Sequence, residues 1–141
     1  MNLYAESSAV LAWLLGEAGE TRVRRRLSAA TIVFASDLTL IECDRVLIRA
    51  VTLQALGEAE AGKRRSSLQS IAAGWQVLRV SSEIVSRARQ PFPAEPIRTL
   101  DALHLASAIT ARSAVPDVVL LSLDERIRKA GLGMGFTVHP T

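Results

Sequence analysis

Four acidic residues of this 141-residue chain stand where a charged side chain is unexpected. Glu6 follows a short apolar run, Asp124 follows the most apolar run, and Glu42 and Asp101 share helical stripes with apolar residues. A carboxylate that faces a core is costly unless something compensates its charge. Four that converge would also raise one another's pKa values. A divalent cation removes both objections, and carboxylate oxygens are ligands that suit Mg²⁺ or Mn²⁺.

Three of these acids also have an explanation that involves no chemistry, and the residues alone leave both explanations open. Asp101 and Asp124 fall in the first turn of a predicted helix, where unpaired backbone N–H groups favour a carboxylate. Glu42 could pair with Arg45 or Arg49 further along its own helix. The first acid has no such explanation, because Glu is disfavoured in buried strands.

Short apolar runs alternate with helix-like segments along the chain, which predicts strands separated by helices. Strands are predicted at residues 3–5, 32–35, 77–80, 118–121 and 136–138. Helices are predicted at residues 8–15, 22–29, 38–50, 82–89, 99–112 and 124–130, with one bent helix or two over 53–73. Ser36, Ser82 and Thr99 are predicted N-caps, and Gly131 is predicted to end the last helix.

This alternation favours parallel strand pairing, with helices on both faces of the sheet. The expected fold is therefore α/β, a three-layer α/β/α sandwich with a central parallel sheet, and the length fits a single domain over residues 1–141. In such sheets the active site lies beyond the carboxyl ends of the strands, near the point where strand order reverses. We expect the functional acids to cluster there.

Composition limits the classes of protein that this chain can be. Apolar residues make up 49% and charged residues 22%, which is typical of a globular domain with a sizeable core. No apolar stretch is long enough to span a bilayer, no secretory signal is visible, and Cys43 is the only cysteine, so we expect a soluble cytoplasmic protein. The net charge of +3, carried almost entirely by arginine, is compatible with a polyanionic partner.

Four segments that contain the acids resemble the motifs of the PIN domain family, in the family's order. They are LYAESSAVL at 3–11, ASDLTLIE at 35–42, RTLDALHLASA at 98–108 and LSLDER at 121–126. The third is the most specific of the set. The chain is similar to the VapC-type toxins of toxin–antitoxin pairs within that family.

The resemblance implies a metal-dependent endoribonuclease that hydrolyses RNA phosphodiester bonds. It implies that Glu6, Glu42, Asp101 and Asp124 hold one or two Mg²⁺ or Mn²⁺ ions and are the catalytic residues. Ser8 and Ser122 match hydroxyl positions that support the acids by hydrogen bonding. The family further implies a homodimer and a cognate antitoxin protein as partner. Neither histidine is needed as a base, and we expect His104 to pack or hydrogen-bond structurally.

One departure from the family pattern concerns the first acid, which is usually Asp and here is Glu6. The longer arm alters the reach of a metal ligand, and octahedral Mg²⁺ tolerates poor geometry badly. Weaker Mg²⁺ binding, or a preference for Mn²⁺, is the resulting hypothesis. The alternatives are a catalytically inactive PIN-like module that binds RNA or protein, and a phosphoacceptor signalling domain. The latter expects two adjacent acids after the first strand, where this chain has one.

Overall fold

A computed structural model of the chain describes residues 1–141 and contains five strands and seven helices. The strands are β1 (Asn2–Ala5), β2 (Ile32–Ser36), β3 (Gln76–Leu78), β4 (Val119–Leu121) and β5 (Val138–His139). The helices are α1 (Ser7–Leu15), α2 (Glu20–Ala29), α3 (Asp37–Thr52), α4 (Glu58–Ala72), α5 (Ser82–Ala88), α6 (Thr99–Ala114) and α7 (Glu125–Gly133).

The strands form one sheet in the order β3-β2-β1-β4-β5, and every neighbouring pair is parallel. From β1 the chain first builds outward through β2 and β3, then returns to the other side of β1 for β4 and β5. Strand order therefore reverses between β1 and β4. A crevice opens beyond the carboxyl ends of the strands at such a point.

Alternating side chains of the strands feed two separate apolar cores. Leu3 and Ala5 of β1 belong to one core, with residues of α1, α2, α3 and α4, whereas Tyr4 belongs to the other, with residues of α6 and α7. All three are fully buried. Both faces of the sheet are thus covered, which explains why the strands are continuously apolar. The expected three-layer α/β/α sandwich is confirmed.

Of the three N-caps predicted from the sequence, Ser36 is confirmed, whereas Ser82 and Thr99 are not N-caps. Ser36 caps α3 through its side chain, which accepts from the N–H of Leu38 at 3.1 Å. The cap of α5 is Ser81 rather than Ser82, because Ser81 is the last extended residue and its Oγ accepts from Ile84 N. Thr99 lies inside α6, whose cap is Arg98. Residues 53–57 form a turn, and α4 follows as a single helix.

The prediction that Gly131 ends the last helix is wrong. Helix α7 continues to Gly133, and Gly131 is buried inside it against β4. A Cβ atom at position 131 would lie 2.4 Å from Cδ2 of Leu120. Glycine stands there because α7 packs too closely on the sheet for a side chain. The left-handed turn comes later, at Gly135 with φ of +85°.

Candidate active site

The four candidate acids lie at the carboxyl edge of the sheet. Glu6 directly follows β1, and its backbone N–H is bonded to the carbonyl of Leu121, the last residue of β4. Asp124 is the N-cap of α7, three residues beyond β4. Glu42 lies on α3, which begins directly after β2, and Asp101 lies in the first turn of α6. The strand-order reversal therefore positions Glu6 and Asp124 side by side.

Glu6 is a buried carboxylate with three hydrogen bonds to one oxygen. Its Oε2 accepts from the backbone N–H of Ser8 at 3.1 Å, from Oγ of Ser8, and from Oγ of Ser122 at 2.7 Å. Burial raises the pKa of Glu6, and these donors offset the effect only in part. Glu6 is also the N-cap of α1. Capping is a structural reason for an acid at this position that the residue pattern alone did not reveal.

Ser8 connects the first acid to the last. Its Oγ donates to Glu6 and accepts from the N–H groups of Leu123 at 2.9 Å and Asp124 at 3.1 Å. Ser122 repeats the arrangement on β4's side, donating to Glu6 and accepting from Asp124 N at 3.1 Å. These two serines fix the loop after β4 against the start of α1, and so fix Glu6 relative to Asp124.

Glu42 is held by residues from two other segments of the chain. Its Oε1 accepts from Oγ of Ser7 at 2.8 Å and lies 2.6 Å from Nε2 of His104. Burial opposes its ionisation, but the hydrogen bonds to His104 and Ser7 together outweigh burial and lower the pKa of Glu42. No ion pair joins Glu42 to Arg45 or Arg49, so that simpler explanation for Glu42 is wrong.

Asp101 and Asp124 repel each other. Burial raises the pKa of Asp101, and the charge of Asp124 raises it further. His104, Arg98 and Arg126 act in the opposite direction. Asp124 uses one oxygen, Oδ1, to cap the N–H groups of Arg126 and Ile127. Capping and participation in a site are therefore compatible at this position.

Each of the four carboxylates keeps at least one oxygen outside the hydrogen-bond network. These are Oε1 of Glu6, Oε2 of Glu42, Oδ2 of Asp124 and both oxygens of Asp101. None of these oxygens is completely buried. Anionic oxygen donors of this kind fit a hard divalent cation. In this structure no three acidic, histidine or cysteine side chains are close enough together to hold a metal ion between them.

Two residues at the site were not singled out from the sequence as belonging to it. The sequence predicts only a structural contact for His104, and it assigns no role to Ser7. His104 lies three positions after Asp101 on α6, which is the spacing that places two side chains on neighbouring parts of one helix. Its contact with Glu42 spans 62 positions of sequence, which helical spacing cannot predict.

No helix of the chain combines the length and the apolar character that crossing a bilayer requires.

Among curated proteins, the chain is similar to Ribonuclease VapC35 of two Mycobacterium tuberculosis strains. It is 29% identical to that protein over 138 residues, which cover 96% of this chain and 94% of the relative.

Solved structures share the fold at low sequence identity. A toxin–antitoxin complex from Klebsiella pneumoniae matches with a TM-score of 0.64 and 14% identity, covering 98% of this chain and 96% of that one. VapC20 of Mycobacterium tuberculosis, a sarcin–ricin loop cleaving toxin, matches with a TM-score of 0.64 and 17% identity over 92% and 95%. VapBC2 of Rickettsia felis, bound to a DNA fragment from its promoter, matches with a TM-score of 0.65 and 9% identity. That match covers 99% of this chain and 98% of the VapBC2 chain.

The family model of the PIN domain matches residues 3–132. This match spans all four segments that carry the acids and the sheet from β1 to β4. The motif resemblance, the strand order and the family model agree on one assignment: the chain belongs to the PIN domain family.

Proposed function

We propose that this chain is a VapC-type toxin, a metal-dependent endoribonuclease of a toxin–antitoxin pair. One observation carries the proposal: four carboxylates from four segments lie at the carboxyl edge of the sheet around the strand-order reversal, and each keeps an oxygen that makes no hydrogen bond. Similarity to a curated ribonuclease over 96% of the chain, and to toxin structures, supports it. Residues 1–141 would then form a single nuclease domain.

Glu6, Glu42, Asp101 and Asp124 would hold the metal, which we take to be Mg²⁺ or Mn²⁺. A bound divalent cation lowers the pKa of a coordinated water and neutralises charge on the phosphoryl oxygens. It would also relieve the repulsion between Asp101 and Asp124 and the burial cost of ionised Glu6. The chemistry of the donor set thus fits such an ion.

The chain's own side chains prepare the site for that ion. Ser8 and Ser122 hold one oxygen of Glu6, leaving the other directed away from their hydrogen bonds. Asp101 makes no hydrogen bond within the chain, so its carboxylate keeps both oxygens available. Neither histidine is placed to act as a general base. His104 is 2% exposed with both ring nitrogens engaged, and His139 is on β5.

Positive charge lies beside the acids where the RNA backbone would pass. Arg126 and Lys129 of α7 line a cleft together with Asp101. Glu95 also lines this cleft, but both its oxygens are occupied by the backbone N–H groups of Phe92 and Ile97. Neither Arg126 nor Lys129 forms an ion pair within the chain, so both suit phosphate groups that flank the cleavage point.

The partners follow from the same proposal. RNA is the substrate, and a small cognate antitoxin would silence the toxin by binding it, as the complexes among the structural relatives suggest by analogy. A homodimer is the proposed assembly. An exposed apolar surface lies on α3 and just after it, formed by Ile41, Ile48 and Leu53. This surface would serve the contact with the antitoxin or with the second copy of the chain.

Cleavage of a mixed cellular RNA pool by purified protein tests the proposal. The reactions contain Mg²⁺, Mn²⁺ or a chelator, and Asp101→Asn serves as the inactive variant. We expect metal-dependent cutting that Asp101→Asn reduces by roughly 100-fold or more. Asp117→Asn is the matched control, because Asp117 precedes β4 at the opposite edge of the sheet and bonds only Asn2.

The same experiment separates the alternative functions. If no metal is bound and no RNA is cut, the chain is an inactive PIN-like binding module. Stable phosphorylation of an acid by a small phosphodonor would indicate a phosphoacceptor domain instead. If Asp101→Asn cuts as well as the unaltered chain, the assigned site is wrong.

A further inference from the structure

His104 is a buried residue whose two ring nitrogens both have hydrogen-bond partners at the site. It is 2% exposed, its Nε2 lies 2.6 Å from Oε1 of Glu42 and 3.0 Å from Oγ of Ser7, and its Nδ1 lies 3.1 Å from the hydroxyl of Tyr4. The ring thus joins β1, α1, α3 and α6 at one point. Neither nitrogen faces solvent, so the ring is not arranged to exchange protons with a substrate.

The hydrogen-bond partners of the two ring nitrogens determine the tautomer of His104. Oε1 of Glu42 already accepts the hydroxyl hydrogen of Ser7, so it acts as an acceptor toward the ring as well. Nε2 must therefore carry the proton that it shares with Oε1. The hydroxyl of Tyr4 lies 3.1 Å from Nδ1, and a phenol O–H can donate to a ring nitrogen that carries no hydrogen. A neutral ring with a protonated Nε2 satisfies every partner.

The same hydrogen bonds determine which oxygen of Glu42 is left available to bind a metal ion. Oε1 receives hydrogen bonds from both His104 and Ser7, whereas Oε2 receives none within the chain. The side chain of Glu42 is 30% exposed, so it would otherwise move between rotamers. His104 and Ser7 thus hold this carboxylate in one orientation, with one oxygen occupied.

We propose that His104 is a positioning residue that holds Glu42 as a one-oxygen metal ligand. The inference rests on the proposed function, because it concerns the ligand role of Glu42. Groups that orient metal ligands typically change metal affinity 10- to 100-fold when removed. His104 also shares α6 with Asp101, so one helix supplies one ligand and orients another.

Two variants of similar size test the proposal, His104→Gln and His104→Asn. The amide nitrogen of Gln reaches about as far as Nε2 and can donate to Glu42, whereas the shorter Asn reaches only the level of Nδ1. We expect His104→Asn to weaken Mn²⁺ binding by roughly 10- to 100-fold, and His104→Gln to stay within about threefold of the unaltered chain. Mn²⁺ affinity is measured by paramagnetic resonance, alongside Tm without metal.

The outcomes separate this inference from the proposed function. If His104→Asn folds and binds Mn²⁺ as tightly as the unaltered chain, His104 does not position Glu42, and the proposed function stands. If both variants lose affinity equally, the role is one of packing, which also overturns the inference. If the unaltered chain binds no Mn²⁺, both this inference and the proposed function fail.

A measurement on the unaltered chain decides the matter if His104→Asn does not fold. The ¹⁵N resonances of the imidazole report which ring nitrogen carries the proton. We expect a protonated Nε2 and a bare Nδ1 for His104, with the Nε2 signal shifted in a Glu42→Gln variant. A proton on Nδ1 with a bare Nε2 would overturn the inference.

Discussion

Ser122 donates a 2.7 Å hydrogen bond to Oε2 of Glu6 across 116 positions of sequence. The two residues follow neighbouring parallel strands, β4 and β1, at the edge where strand order reverses. The longer arm of Glu6 places its carboxylate against two serine hydroxyls, Ser8 and Ser122, while it still caps α1 through Ser8 N. The departure from the usual Asp is therefore accommodated by a specific set of donors.

Shortening that arm tests whether Glu6 sets the metal preference. Glu6→Asp draws the carboxylate back by about one methylene and brings the site to the family's usual pattern. We expect tighter Mg²⁺ binding and a lower ratio of Mn²⁺- to Mg²⁺-supported cleavage. Calorimetric titration with each metal, beside rates of RNA cleavage, measures both. Unchanged affinities and rates would show that the longer arm has no effect on the metal.

Glu6 should destabilise the metal-free fold at neutral pH. Its pKa is raised by burial, so the folded chain holds this proton more tightly than the unfolded chain does. The stability that Glu6 contributes is therefore present in acid and is lost as pH rises through its raised pKa. We expect Glu6→Gln to raise Tm at pH 7 to 8, with the difference disappearing toward pH 4. An equal difference at both pH values would contradict this.

Ser8 should matter more for stability than Ser122. Ser8→Ala leaves the N–H of Leu123 without its partner, whereas Asp124 N, which both serines bond, keeps one of them in either variant. An unpaired buried N–H costs about 1–3 kcal/mol. We expect Ser8→Ala to lower the free energy of unfolding by about that amount, and Ser122→Ala by less. Urea denaturation measures both; the reverse order would exclude this account of the loop.

Arg126 should contribute to RNA binding rather than to the chemical step. It lines the cleft beside Asp101 and forms no ion pair within the chain. We expect Arg126→Gln to raise KM, leave kcat largely unchanged, and reduce the salt slope of single-stranded RNA binding by about 0.7. The control is Arg65→Gln, since Arg65 pairs with Asp44 between α3 and α4. Equal effects of the two substitutions would remove Arg126 from the RNA path.

Two glycines of α7 provide a matched test of the packing against β4. A Cβ at position 131 would meet buried Leu120, whereas a Cβ at position 133 meets nothing within 4 Å. We expect Gly131→Ala to cost about 1–3 kcal/mol in unfolding free energy. Gly133→Ala should be neutral or stabilising by up to about 1 kcal/mol. Similar effects at both positions would contradict the close approach of α7.

The alternation of apolar runs and helices was sufficient to predict the fold. The strand cores are apolar on both faces because both faces are covered, and this pattern is visible in one sequence. The placement of Glu6 and Asp124 beyond their strands followed from the same pattern. Glu42 and Asp101 stood out because they share helical stripes with apolar residues, but their positions also fitted ion pairing or helix capping, and only the motif resemblance decided between these readings.

The resemblance implied the hydrogen bonds of Ser8 and Ser122 to an acid, but other contacts that organise the site could not be predicted from the sequence. The partner of Glu42 is His104, not an arginine of its own helix, because helix packing brings the two together across 62 positions. Gly131 looked like a helix end because glycine is common there, but its reason is the close approach of α7 to Leu120. Both facts depend on distances between elements, which local spacing does not encode.

The strand order has a consequence for the chain during its own synthesis. The acids come from positions 6, 42, 101 and 124, and the last of them caps α7. Strand β4 must insert beside β1 before Asp124 and the serine contacts of Glu6 are in place. A nascent chain that has only its first hundred residues therefore lacks half of the quartet. On the ribosome the site would therefore stay incomplete until the chain has been synthesised past Asp124.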